Sequence, residues 1–88
     1  MKKYKILLVD DDPFILQTIG PALEDKGYEI TTIGNGADAI SLINKSPYDL
    51  VLTDLMMENI DGFQVLKAVK KLETETMVIV LTGYGDVN

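Results

Sequence analysis

The sequence contains no cysteine, no histidine and no arginine. Without cysteine the chain can form neither a disulfide framework nor a thiolate metal site. All of its basic residues are lysines, eight against fourteen acidic residues, and the net charge is −6. Because binding to a nucleic-acid backbone requires clustered positive charge, we expect no direct nucleic-acid contact from this segment.

Long apolar segments are missing as well. The first apolar run, at residues 6–9, ends in three aspartates, so it is too short for a signal sequence or a membrane span. We therefore expect a cytoplasmic protein without membrane contact. A length of 88 residues allows one small domain, and 47% hydrophobic with 25% charged residues is typical of a globular one.

Four runs rich in Val, Ile and Leu alternate with helical patterns along the chain. Such short runs predict buried strands of a parallel sheet. We predict strands at residues 5–9, 28–33, 49–53 and 77–82. A first helix opens at Asp12 and Pro13 and closes at Gly27, and further helices are predicted at residues 37–45 and 63–72. The order βαβαβαβ predicts an α/β fold, a doubly wound parallel sheet with helices on both faces.

Two of the predicted helices carry features of their own. Pro21 lies inside the first helix, where it removes a hydrogen bond and clashes with the carbonyl group of Gln17, so we expect a kink there. In the third helix we expect an inward-facing set of four apolar residues: Phe63, Leu66, Val69 and Leu72.

Polar residues follow three of the four predicted strands. Asp10, Asp11 and Asp12 follow the first strand, Asp54 follows the third, and Thr82 ends the fourth. In open parallel sheets, ligands bind beyond the carboxyl ends of the strands, so these side chains can converge. Two strand ends with carboxylates and one with a hydroxyl group predict a divalent cation beside a reactive carboxylate.

Clustered carboxylates repel one another, at a cost of roughly 3 kcal/mol per pair at about 5 Å and an effective dielectric constant near 20. Mg²⁺ (or Mn²⁺) is the natural compensating ion, because it prefers hard oxygen ligands and keeps waters that a phosphate can replace. Asp54 could then attack a phosphoryl group and form an aspartyl phosphate, with the Thr82 hydroxyl stabilising the phosphoryl oxygens. Taken singly, these residues have plainer explanations as a turn residue and as strand propensity, so the functional interpretation depends on their combination.

Three motifs make the chain resemble the receiver domain of two-component response regulators. They are LLVDDD at residues 7–12, DLMM at residues 54–57 with DGF at residues 61–63, and LTGYG at residues 81–85. The spacing between them also fits, over essentially the whole chain. The resemblance implies a flavodoxin-like fold. It also implies a module that is not itself an enzyme and accepts phosphate from a histidine kinase or phosphotransfer protein.

The resemblance also implies roles for individual residues in metal binding. Asp11 is the expected direct Mg²⁺ ligand, and Asp10 is expected to act on the metal largely through water. Asp54 and the backbone carbonyl of Met56 complete the expected metal site. Asp12 aligns beyond the acidic pair and is expected to be a helix cap.

Other residues are implied in phosphoryl chemistry. Asp54 is the expected phospho-acceptor, Thr82 resembles the switch hydroxyl that turns toward the phosphoryl group, and Gly83 is the small residue that leaves access to it. Glu58 stands where the family usually has proline in the loop after the acceptor.

The family fold continues beyond the length of this sequence, with a fourth helix, a fifth strand that ends in a phosphate-binding lysine, and a fifth helix. Because the sequence stops at Asn88, we expect residues 1–88 to be a C-terminally truncated receiver domain. Without the lysine we expect impaired phosphoryl acceptance. The sequence indicates neither the cognate kinase nor the output domain.

The strand order implied by the resemblance leaves the fourth strand at an edge of the sheet. Residues 77–82 are apolar on both faces, and a long apolar edge is a template for pairing with another chain. We therefore expect a homo-oligomer formed through this strand.

Three other interpretations remain open. The spacing of Asp10 and Asp12 after a strand resembles haloacid-dehalogenase phosphohydrolases, although Pro13 and Phe14 stand where that family has Thr or Val. An EF-hand is less favoured, because the loop glycine and the closing Glu are missing. The third is a dimerisation or interaction module that is not phosphorylated.

Overall fold

The computed structural model of the chain describes residues 3–57, 59–72 and 74–81. Strands and helices alternate in the predicted order, and the predicted strand bounds differ from the observed ones by one residue at most. The elements are β1 (Lys5–Val9), α1 (Pro13–Asp25), β2 (Glu29–Ile33), α2 (Gly36–Lys45), β3 (Leu50–Asp54), α3 (Gly62–Lys71) and β4 (Met77–Leu81).

The four strands form one parallel sheet in the order β2-β1-β3-β4. This order confirms the α/β, flavodoxin-like fold that the resemblance implies, with β4 at an edge. The register pairs Val9 with Thr53 and Asp54 with Leu81. The carboxyl ends of β1, β3 and β4 therefore lie side by side along one border of the sheet, which we call the carboxyl edge.

Helices cover both faces of the sheet, because successive side chains of a strand point to opposite sides. On one face, side chains of β1 and β3 pack with α2 and α3 in a core of eight buried residues: Leu7, Val9, Ala39, Ile43, Tyr48, Val51, Val65 and Val69. On the other face, Ile6 and Leu8 are buried, and α1 packs against β1 and β2.

Each helix begins at the carboxyl edge with a side chain that caps its first turn. Asp12, Asn35 and Asp61 are the N-caps of α1, α2 and α3. Asp61 and Gln64 form a reciprocal capping box, in which each side chain accepts a hydrogen bond from the backbone of the other at 3.0 Å. Because a cap satisfies backbone donors that have no partner inside the helix, these residues fix where the helices start.

The helix α1 runs from Pro13 to Asp25 and includes Pro21 without a break. The sequence therefore predicted correctly that the helix continues past this residue, and the apolar spacing explains why. None of the described helices has the length and apolar character needed to cross a membrane.

The predicted inward face of α3 is partly wrong. Val69 is buried as expected, but Phe63 is 56% exposed and Leu72 is 39% exposed, whereas Val65 is completely buried. The prediction followed steps of three residues, each of which turns a helix by about 300° and not by a full circle. Phe63 and Leu72 consequently point about half a turn apart, and the true inward stripe is the i, i+4 pair Val65 and Val69.

The edge strand β4 leaves apolar side chains in contact with solvent. Met77, Ile79 and Leu81 are 63%, 42% and 40% exposed, respectively. Their register partners in β3 are Leu50, Leu52 and Asp54, which places them on the same face of the sheet as α1. That helix packs against β1 and β2 and does not reach β4.

Candidate functional site

Three carboxylates meet at the carboxyl edge. Asp10 and Asp11 directly follow β1, and Asp54 is the last residue of β3. One carboxylate oxygen from each of the three lies within 4.8 Å of the others. The predicted convergence of the ends of β1 and β3 is therefore present, because these two strands are hydrogen-bonded neighbours. The third predicted member, Thr82, lies outside the described residues.

Asp10 is the buried member of this cluster, with 7% of its surface exposed. Burial is the largest cause that raises the pKa of its carboxyl group, and the nearby carboxylates of Asp54 and Asp11 raise it further. The backbone N–H of Asp12 donates a hydrogen bond to Asp10 Oδ1 at 2.9 Å, which stabilises the ionised form and lowers the pKa. The net shift of the Asp10 pKa is upward, so burial and repulsion together outweigh the hydrogen bond. A cation at this position would offset both, because it stabilises the ionised carboxylate.

Asp12 is separated from the cluster by a different hydrogen bond. Its side chain accepts from the backbone N–H of Phe14 at 2.9 Å and caps α1. The expectation that Asp12 is a cap is thus confirmed, and within the described residues it is not one of the three that group together.

The loop after Asp54 folds back tightly on the strand. The backbone N–H of Gly62, the first residue of α3, donates to the carbonyl oxygen of Leu55 at 3.0 Å. Within the described part of the chain, no hydrogen bond to the Met56 carbonyl oxygen is formed. It is the oxygen that the resemblance assigns to the metal.

Two glycines make this arrangement possible, and neither was expected from the sequence to have a role at the site. A Cβ atom at Gly62 would lie 2.6 Å from the carbonyl oxygen of Asp54, and one at Gly36 would lie 2.6 Å from the side chain of Ile60. Both distances are too short for any other residue. Each glycine directly follows a helix N-cap in the sequence, as Asn35-Gly36 and Asp61-Gly62, which is the signal that could have identified them.

Several predicted site residues, Glu58, Thr82 and Gly83, lie outside the described residues. The neighbouring residue Leu81 pairs with Asp54, and its carbonyl oxygen accepts a hydrogen bond from the backbone N–H of Leu55 at 2.9 Å. The paired end of β4 is therefore adjacent to Asp54.

Charge is distributed unevenly between the two ends of the sheet. In the described segments the lysines lie toward the amino ends of the strands or in the later turns of helices, such as Lys5 at the start of β1 and Lys45 at the end of α2. The carboxyl edge carries the acidic cluster together with the caps Asp12 and Asp61. It therefore attracts cations and repels anions.

The donor set fits a small hard cation. Mg²⁺ binds oxygen ligands, commonly one or two carboxylates, and retains several waters. Asp10, Asp11 and Asp54 each supply one carboxylate oxygen, and these oxygens lie within 4.8 Å of one another. Asp11 is exposed and Asp54 is partly exposed. The cluster is thus both accessible and chemically suitable for the ion.

The chain belongs to the response regulator receiver domain family, whose sequence model matches residues 6–88. Receiver domains of this family take part in two-component signalling, in which they interact with histidine kinases or phosphotransfer proteins. The resemblance drawn from the three motifs is confirmed.

Curated relatives agree with this assignment. The chain is 37% identical over 86 residues to the transcriptional regulatory protein GlrR of Escherichia coli, covering 98% of this chain and 19% of that protein. It is 33% identical over 88 residues to sporulation initiation phosphotransferase F of Bacillus subtilis, covering 100% of this chain and 71% of that protein. The chain therefore spans about a fifth of the length of GlrR and most of the length of the phosphotransferase.

Solved structures show the same fold. Chemotaxis protein CheY4 of Vibrio cholerae superposes with a TM-score of 0.89 at 31% identity, over 97% of this chain and 72% of that one. The response regulator TrrA of Thermotoga maritima, solved in complex with Mg²⁺ and BeF, gives a TM-score of 0.86 at 36% identity, over 93% of this chain and 71% of that one.

Proposed function

We propose that this receiver domain accepts a phosphoryl group on Asp54 from a histidine kinase or a phosphotransfer protein, in the cytoplasm, and that it is not itself an enzyme. The observation that carries the proposal is the convergence of Asp10, Asp11 and Asp54 within 4.8 Å at the carboxyl edge of a receiver fold.

The proposed step is a displacement at phosphorus. An oxygen of the Asp54 carboxylate attacks the phosphorus atom of a phosphohistidine, the new bond is P–O, and the bond that breaks is P–N. The electron pair of the broken bond stays on the imidazole nitrogen, which takes a proton from solvent. Asp54 suits this role because it is only partly buried, so a donor can reach it.

Asp10, Asp11, Asp54 and the carbonyl of Met56 would hold Mg²⁺ (or Mn²⁺). When bound, the ion neutralises the charge on the phosphoryl oxygens and orients them. The chain's own contribution is to bring the oxygens together and to fix Asp10 through the Asp12 backbone. The Mg²⁺–BeF complex of the relative TrrA supports this choice of ion.

We further propose that phosphoryl acceptance by this 88-residue chain alone is slow. In the described segments no lysine lies at the carboxyl edge, whereas the phosphoryl group brings negative charge to a cluster of three carboxylates. Loss of a preorganised charged contact in the transition state typically costs about 10²–10³ in rate.

The test is labelling with acetyl phosphate in the presence of Mg²⁺, followed by mass spectrometry of intact protein and peptides. Wild type should gain one phosphoryl group at Asp54, slowly, and Asp54→Asn should gain none. Asp25→Asn is the matched control, because it makes the same change at the far end of α1. Labelling at Asp10 with release of phosphate would favour the haloacid-dehalogenase interpretation, and absence of labelling in wild type would favour the non-phosphorylated module.

An interaction role is also supported by one specific observation, the exposed apolar side chains of the edge strand β4. We propose that this chain by itself forms homo-oligomers through β4, since a parallel strand is normally covered on both faces. Pairing with a second copy would cover Met77, Ile79 and Leu81 and would satisfy the open edge of the sheet.

A further inference from the structure

The segment that joins β3 to α3 is held between the first turns of two helices. At one end, the Gly62 N–H donates to the Leu55 carbonyl oxygen at 3.0 Å. Near the other end of the loop, Ile60 packs directly on Gly36, the first residue of α2. The loop that follows the proposed acceptor Asp54 is therefore fixed by a helix that begins well before it in the sequence.

The contact between Gly36 and Ile60 leaves no space for a side chain at residue 36. A Cβ atom there would lie 2.6 Å from Ile60 Cγ2, 2.7 Å from Ile60 Cβ and 2.7 Å from the Ile60 carbonyl oxygen. A rotation of the Ile60 side chain can relieve only the first of these contacts. Any larger residue at position 36 must therefore displace the backbone of the loop.

Backbone conformation does not explain this glycine. Gly27 is the glycine with a positive φ among the described residues, and Gly36 is an ordinary helical residue. In a helix, glycine is less favourable than alanine. Position 36 is therefore occupied by a poor helix former, although it is buried within α2. The close approach of Ile60 is the physical reason for glycine at this position.

A shift of residue 60 is transmitted toward the acidic cluster because the loop is short and closed. Gly62 is tied to the end of β3, because its N–H donates to the Leu55 carbonyl oxygen at 3.0 Å. It also lies so close to the backbone of Asp54 that an added Cβ would be 2.6 Å from the Asp54 carbonyl oxygen. The part of the loop left to absorb the displacement includes Met56, whose carbonyl group is one of the proposed metal ligands.

We infer that Gly36 is a positioning residue for the proposed Mg²⁺ site, acting through Ile60 on the loop that carries the Met56 carbonyl. This inference rests on the proposed function. Gly36 offers no side-chain ligand of its own. By leaving space for Ile60, it lets α2 hold the loop in the conformation that the proposed metal site requires.

The experiment compares Gly36→Ala with Gly34→Ala, a matched control two residues away, where the nearest atom to an added Cβ is 4.0 Å distant. Two quantities are measured: the Mg²⁺ dissociation constant by titration, and hydrogen exchange of the Gly62 amide, which requires no metal. Substitutions behind metal ligands typically weaken affinity by about 10- to 100-fold. We expect a loss in that range and faster Gly62 exchange for Gly36→Ala, and neither change for Gly34→Ala.

The core variant Ile43→Val controls for a general loss of stability. It should lower the free energy of unfolding to an extent comparable with Gly36→Ala, and it should leave the Mg²⁺ affinity unchanged. If Gly36→Ala does not fold, Ile60→Ala loosens the same contact from the other side and should weaken Mg²⁺ binding in the same direction. Wild-type affinity and wild-type Gly62 exchange in whichever of the two variants folds would overturn the inference.

Failure of the proposed function gives a different result. If the wild-type protein binds no Mg²⁺, the metal site is wrong, whereas the exchange rate of the Gly62 amide still reports on the loop. In that case, faster Gly62 exchange in Gly36→Ala would show that Gly36 positions the loop but has no role in metal binding. Unchanged exchange would refute the positioning of the loop as well.

Discussion

The backbone N–H of Asp12 donates a hydrogen bond to Asp10 Oδ1, and this contact divides three consecutive aspartates into different roles. It turns the Asp10 carboxylate into the buried cluster, while the Asp12 side chain turns outward to cap α1 through Phe14. Neighbours in sequence thereby differ in burial, partners and expected response to mutation.

The first prediction concerns Asp10→Asn. The amide oxygen can still accept the hydrogen bond from Asp12, but the repulsion with Asp54 and Asp11 disappears. We expect the free energy of unfolding to rise by about 1–2 kcal/mol without divalent ions, a fraction of the unscreened pairwise repulsion. Urea unfolding at neutral pH measures the change, with Asp25→Asn as the control for loss of one negative charge. If Asp10→Asn were less stable than wild type, repulsion among the three carboxylates would not be the dominant effect at this position.

The second prediction is a pH dependence of the same pair of proteins. Because the folded-state pKa of Asp10 is raised above the ordinary value of 3.8, the folded protein binds more protons than the unfolded chain between these two values. The contribution of Asp10 to the free energy of unfolding is therefore greatest below pH 3.8 and decreases as pH rises through the folded-state pKa.

The measurement is the difference in unfolding free energy between Asp10→Asn and wild type as a function of pH. The two should be similar at acid pH, and the gap should widen toward neutrality. A gap that narrows as pH rises would show that the pKa of Asp10 is lowered. Saturating Mg²⁺ should reduce the gap, because it stabilises the ionised form in the folded protein.

The sequence predicted the ends of β1 and β3 well because each apolar run stops at an aspartate, Asp10 in the first case and Asp54 in the second. Parallel pairing then brings Asp10 and Asp54 together without further information. The inward face of α3 was not predictable from three-residue spacing, since both Phe63 and Val65 are apolar and only tertiary packing selects between them. The contact of Gly36 with Ile60 joins distant parts of the sequence. A glycine directly after an N-cap marks position 36 locally, but only tertiary packing determines that Ile60 is its partner.

The third prediction separates two adjacent aspartates. Asp11→Ala should weaken Mg²⁺ binding strongly and should not lower stability in metal-free buffer, because it removes a ligand and a repulsive charge. Asp12→Ala should lower the free energy of unfolding by about 0.5–2 kcal/mol, because it removes the N-cap of α1. Titration with Mg²⁺ and urea unfolding of both variants provide the comparison.

Asp12→Asn serves as the control, because asparagine caps a helix as well as aspartate does. It should keep wild-type stability. The assignment of roles would be wrong if Asp12→Asn lost Mg²⁺ binding to the same extent as Asp11→Ala.

The fourth prediction concerns Pro21, which is exposed inside α1. Proline cannot donate to the carbonyl of Gln17 and disfavours a helix interior by about 3 kcal/mol relative to alanine. Part of this is offset because proline also restricts the unfolded chain, by about 0.4–1 kcal/mol. We expect Pro21→Ala to raise the free energy of unfolding by about 2–3 kcal/mol in a denaturant titration. A decrease in the free energy of unfolding would mean that α1 has a local distortion at residue 21 that favours proline over alanine.

The last prediction tests self-association through β4. Fully burying a large aliphatic side chain is worth about 1.5–3 kcal/mol. Because Met77, Ile79 and Leu81 are 63%, 42% and 40% exposed, covering them supplies a driving force of roughly 2–4 kcal/mol per strand. Light scattering at micromolar concentration should show a mass above that of one chain. Ile79→Lys should shift the protein toward the monomer, because a charge in the paired edge opposes association. Gln17→Lys adds the same charge on the exposed surface of α1 and should leave the mass unchanged. A wild-type protein that stays monomeric would show that the exposed face of β4 is not sufficient for pairing.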